Sequence, residues 1–126
     1  MIASRPQIVC IVPHVVIRSM YERYGERFAK IVCLQDVAEF ERRALQLRPF
    51  ALLLDEDVVA SLVDDIRRMR KHPALKNMRI LALCHKLSHE QRSLLYEAGA
   101  DDILLTTQHS PRDIMARLQI FYDKNR

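Results

Sequence analysis

A chain of 126 residues suits one domain and leaves little room for a second, so 1–126 reads as a single unit. With 49% hydrophobic and 29% charged residues it has the make-up of a folded globule, which excludes a disordered tail. The formal net charge of +4 is a mild basic excess, and Arg42, Arg43, Arg48, Arg67, Arg68, Arg70 and Lys71 are interleaved with Glu39, Glu41, Asp64 and Asp65. They read as solvated helix faces, so no direct contact with nucleic acid is expected of this domain.

Short apolar runs alternate with amphipathic segments along the chain. Gln7 to Val12 (QIVCIV) is apolar at successive positions, as a parallel strand covered on both faces would be. A helix is expected from Val15 to Tyr24, closed by Gly25 as a left-handed cap. Lys30 to Leu34 is a second strand. Asp36 to Leu47 has helical periodicity, with Val37, Phe40, Ala44 and Leu47 on one face and Pro49 as a stop. Phe50 to Leu54 is a third apolar run that ends at Asp55, Glu56 and Asp57.

Val58 to Lys71 reads as a third helix that buries Leu62, Ile66 and Met69, with Pro73 just beyond. Arg79 to Cys84 is the fourth run. Ser88 and Gln91 have the spacing of a capping box at the head of a helix that Gly99 ends. Asp102 to Leu105 is the fifth run. Ser110, Pro111 and Asp113 then open a last helix, whose buried face carries Ile114, Leu118 and Phe121.

The order βαβαβαβαβα implies an α/β fold, flavodoxin-like, with five parallel strands and helices on both faces. Function in such folds gathers at the carboxyl ends of the strands, near the point where strand order reverses. Cys10, Cys33 and Cys84 are odd in number, far apart in sequence and without ligand spacing, so each is expected to be a small buried hydrophobe in a reducing cytoplasm. No apolar stretch approaches the length of a membrane span.

Local motifs narrow the fold further. Arg48 to Asp55 (RPFALLLD), Gly99 to Leu105 (GADDILL) and Ser110 to Leu118 (SPRDIMARL) together resemble the receiver domain of response regulators, CheY-like in fold. The last third is most similar to the OmpR/PhoB branch. The resemblance places the phosphoacceptor at Asp55. It also implies an acidic pair for Mg²⁺ after the first strand, a Ser or Thr after the fourth, a Lys after the fifth and an aromatic within the fifth. Cations and positioned donors there stabilise charge on the transferred phosphoryl group.

Here those positions hold Pro13 and His14, then Cys84, Thr106 and Ile103. Neither Pro13 nor His14 supplies the hard oxygen that Mg²⁺ prefers. Thr106 is neutral and the Cys84 thiol is a weak donor. The expectation is a receiver-like domain that is not an enzyme, binds no cofactor and signals by protein contact without phosphorylation, as pseudo-receivers do. Mg²⁺ enters only under the alternative of an atypical phospho-receiver, with Glu56 and Asp57 joining Asp55 around the ion. A third class, an unrelated small-molecule-binding domain, is disfavoured because Gly25 and Gly99 are the only glycines and form no phosphate loop. Cys84, with His85 and Lys86 beside it, is weighed as a redox thiol against a plain buried one.

The resemblance also implies partners: a histidine kinase or an output domain, and a second copy through the fourth helix, fifth strand and fifth helix. Arg92, Asp101, Asp102, Asp113, Arg117 and Lys124 match the charged positions of that dimer face, with Ile114 and Leu118 supplying its apolar strip. The first helix, with Met20, Tyr21, Tyr24 and Phe28, is a further candidate contact if any Met or Tyr is exposed.

Overall fold

Strands that are apolar on both faces must be covered twice, and the intervening helices supply both covers. The computed structural model describes residues 5–55 and 59–124. Its elements are β1 (Gln7–Ile11), α1 (Val15–Gly25), β2 (Lys30–Leu34), α2 (Val37–Leu47), β3 (Ala51–Asp55), α3 (Val59–Arg70), a 3₁₀ turn (Pro73–Leu75), β4 (Arg79–Cys84), α4 (His89–Ala98), β5 (Asp102–Leu105) and α5 (Pro111–Lys124). The strands form one parallel sheet in the order β2-β1-β3-β4-β5. Strand order therefore reverses between β1 and β3, which places the crevice beside Asp55.

The two-residue period of the strands divides the core into two layers. Val9, Ile11, Leu52, Leu54, Ile80 and Ala82 pack with Phe40, Leu62 and Ile66. Ile8, Cys10, Leu53, Leu81 and Leu83 pack with Tyr21, Ile114, Met115 and Leu118. The helix faces expected for α2 and α3 are buried, and Ser88 and Gln91 close the capping box reciprocally.

Three details depart from the sequence-based expectation. Gly25 is not a left-handed cap: it is the last residue of α1, and the helix passes on through a right-handed Glu26. A Cβ there would stand 2.5 Å from Ile31 Cδ1 and 3.2 Å from Met115 Sδ, so glycine permits close packing against β2 and α5. The left-handed cap is Arg48, at the end of α2 (φ 40°), ahead of Pro49. Arg70 is not on a solvated face. Its guanidinium turns inward and donates to the carbonyls of Gly99 (2.9 Å) and Met78 (2.6 Å) and to Asp101 Oδ2 (2.6 Å).

Candidate functional site

The carboxyl ends of β1, β3, β4 and β5 bring the candidate residues to one edge of the sheet. Beyond β1, Val12 is buried, while Pro13 and His14 are exposed and His14 makes no side-chain cap to α1. Asp55 closes β3 opposite Leu83, half-buried, so Cys84 follows one step further along β4. Thr106 reaches the same place from β5. Its N–H donates to the Cys84 carbonyl (2.8 Å), and its hydroxyl lies 3.4 Å from that carbonyl and 3.0 Å from His85 Nδ1. Ile103 is buried within β5. Glu56 and Asp57 lie outside the described residues.

Charge at this edge is felt through buried groups. Burial, and then the Asp55 carboxylate, push the Cys84 thiol up to about 11, with Arg92 acting in the opposite direction. His85 and Lys86 therefore do not make Cys84 a reactive thiolate; its environment disfavours the charged form. Burial, and then Asp55, also raise the Tyr21 phenol above its usual value. Asp55 thus acts on Tyr21 of α1 and on Cys84 in β4, and Arg92 of α4 acts on Cys84 in the opposite direction.

No family model matches the sequence, and no curated protein matches it. Solved structures do match. The chemotaxis response regulator CheY4 of Vibrio cholerae superposes with a TM-score of 0.80 at 19% identity, over 92% of this chain and 98% of that one. An orphan response regulator of H. pylori gives 0.80 at 13% identity, over 91% and 94%. DrrB, a Thermotoga maritima OmpR/PhoB homolog, gives 0.79 at 15% identity, over 97% of this chain and 54% of that one. The fold is that of a response-regulator receiver. At these identities the likeness is one of fold, so what the site can do rests on its own residues.

Among the described residues, the donors do not fit a Mg²⁺ site of the kind the receiver fold implies. Pro13 offers no side-chain ligand and His14 offers a nitrogen. Among the described residues, no three His, Cys, Asp or Glu side chains gather to hold a metal ion. A cavity of about 990 Å³ lies elsewhere, lined by Arg48, Phe50, Arg79, Phe121 and Tyr122 around the amino ends of β3 and β4. Its guanidiniums are already engaged: Arg79 stacks 3.7 Å over Phe121, and Arg48 Nε donates to the Leu45 carbonyl.

The charged set matched to a receiver dimer face is only partly gathered. Asp113, Arg117 and Lys124 share one exposed side of α5, and Arg117 lies 3.9 Å from Asp102 of the same chain. Asp113 also closes a cap, accepting from the Ser110 N–H (3.4 Å) while its own N–H donates to Ser110 Oγ (3.2 Å). Asp101 is taken up internally by Arg70 and by the Ile80 N–H (2.8 Å). Arg92 sits by the crevice. Ile114 and Leu118 are core residues, so they cannot form an outward apolar strip; the exposed apolar residue of α5 is Ile120.

On the first helix, Tyr21 is core and Met20, Tyr24 and Phe28 are half-buried. The exposed apolar residues there are Val15 (65%) and Val16 (73%), next to the crevice. Sequence reasoning missed the pairing of His85 with Thr106, because residues far apart in sequence meet only once strand order is known. It also missed that Cys10 and Cys33 stand directly opposite each other on β1 and β2. A signal for that pair existed: both strands carry Ile-Val-Cys at the same offset.

Proposed function

We propose that this receiver-fold chain is a cytoplasmic signalling module that works by protein–protein contact and does not depend on phosphoryl transfer to Asp55. The observation that carries this is the end of β5. There a neutral Thr106, its hydroxyl facing His85 and the Cys84 carbonyl, stands where a receiver places its lysine. Phosphoryl transfer is catalysed almost wholly by positioned cations and donors, so losing the lysine and the carboxylate pair removes most of the stabilisation. The partner, a kinase or an output domain, would meet the crevice edge at Val15 and Val16, whose adjacent exposure gives a small apolar contact. Incubating the protein with Mg²⁺ and acetyl phosphate, then measuring intact mass, tests this. The expected result is no phosphoryl adduct. An adduct that disappears in Asp55→Asn would favour the atypical phospho-receiver instead.

A further inference from the structure

β1 and β2 pair in parallel with Cys10 directly opposite Cys33, so both side chains leave the sheet on the same face. That face is the layer beneath α1 and α5. Cys10 is fully buried and Cys33 half-buried. The Cys33 sulfur lies 3.5 Å from Glu22 Oε1 on α1. Arg18, one turn earlier on the same helix, brings a positive charge to bear on Cys33. The Arg18 Nε is buried and has no hydrogen-bond partner among the described residues. A thiol pair with partial access thus lies under the charge of a guanidinium on α1.

We propose that Cys10 and Cys33 are a peroxide-sensitive dithiol that oxidises to a disulfide between neighbouring strands and is reversed by a small or protein dithiol. The Cys33 thiolate attacks a hydroperoxide oxygen, the O–O bond breaks, and the departing oxygen takes a proton and leaves as water or an alcohol. Cys33 is then a sulfenic acid. The Cys10 sulfur attacks the Cys33 sulfur, the S–O bond breaks, and the hydroxide carries off the Cys10 proton as water. Two thiols and one hydroperoxide give one disulfide, one water and one water or alcohol, and two electrons pass from sulfur to oxygen.

Cys33 is the attacking residue because it is the accessible one. The Cys10 thiol opposite it holds the Cys33 thiol below the usual value, helped by Arg18 and opposed by burial and Glu22. Cys10, raised by its interaction with Cys33 and by burial, is the resolving thiol. Neighbouring strands are about 4.7–4.9 Å apart, inside the Cα separation of about 4.4–6.8 Å that a disulfide tolerates. The paired Cβ atoms of parallel strands are held nearly as far apart, which exceeds the usual Cβ spacing, so the bond is strained and readily reduced. β2 is an edge strand, held by β1 on one side alone. Cys84 belongs to the other core layer and takes no part.

The test treats the reduced protein with hydrogen peroxide, blocks remaining thiols by alkylation and maps the peptides. The expected result is a mass loss of two hydrogens, a Cys10–Cys33 cross-link reversed by dithiothreitol, and alkylation at Cys84 alone. Cys84→Ser should behave like the wild type, Cys33→Ser should give no cross-link, and Arg18→Met should oxidise several-fold more slowly. The proposal is overturned by alkylation of all three cysteines after peroxide, by Cys33 passing to sulfinic acid with Cys10 still free, or by a cross-link through Cys84. The wild-type map decides between these outcomes even if a variant fails to fold.

Discussion

A thiolate at position 84 would lose its water and face the Asp55 carboxylate, and for both reasons the Cys84 thiol is pushed up to about 11. In the unfolded chain the same thiol titrates near ~8.5. The folded state therefore holds the proton more tightly. The stability this contributes is complete below the unfolded value and is lost as pH rises toward the folded one, on the order of 3 kcal/mol across that window. Urea midpoints measured from neutral pH to about pH 11 should fall less steeply for Cys84→Ala than for wild type, whatever the cavity costs at neutral pH. Parallel slopes would mean that Cys84 does not titrate in this way. At this scale the sequence located Asp55 and Cys84, because each ends an apolar run. It could not show that Thr106 turns its hydroxyl to His85, or that Arg92 acts on the crevice, since both depend on which strands lie side by side.

Gly99, Ala100, Asp101 and Asp102 form the turn into β5, and their neighbours explain each residue. A Cβ at Gly99 (φ 124°) would stand 2.5 Å from Arg70 Cγ, and Ala100 is buried. Asp101 Oδ2 takes hydrogen bonds from Arg70 Nη2 and from the Ile80 N–H, tying the end of α3 and the start of β4 to the turn. Among the described residues, Asp102 makes a loose pair with Arg117 and a local bond to the Ile103 N–H. Adjacent acids should therefore differ in cost. Asp101→Ala takes the carboxylate from a largely enclosed guanidinium, which keeps its carbonyl acceptors, and leaves a part-buried N–H open, for a loss of about 2–4 kcal/mol. Asp102→Ala should lose under about 1 kcal/mol. Equal losses in urea unfolding would contradict the keystone role of Asp101. Helix faces such as Val37, Phe40, Ala44 and Leu47 were legible from period alone, as were the caps at Ser88 and Ser110. Arg70 was not, because a charged residue in a charged run carries no mark of turning inward. Gly25 was misread for a related reason: spacing suggests a cap, whereas the close approach of Ile31 and Met115 is a tertiary fact.

Alternating strands and helices made the topology of the whole molecule legible, but not the surface it offers a second copy. With Ile114 and Leu118 in the core, self-association through α4, β5 and α5 draws its apolar area from Leu94 and Tyr96 of α4 and above all from Ile120 (56% exposed), which lies between Arg117 and Lys124 on the same side of α5. Arg117 already has Asp102 as a partner within its own chain, so exchanging that pair across an interface gains little, and exposed pairs are weak in any case. An isologous dimer repeats each contact, so one change to the patch acts twice. If the protein dimerises by this face, association is weak, and Ile120→Lys disrupts it more than Arg117→Glu. Sedimentation equilibrium of the wild type and both variants over a range of concentrations checks this. Raised salt should weaken association only slightly, because apolar contact supplies most of it. A dimer that survives Ile120→Lys but is lost in Arg117→Glu would make the ion pairs dominant and reverse that ordering. A dimer indifferent to both would move the interface elsewhere, with the exposed Val15 and Val16 edge of α1 the next apolar surface to substitute.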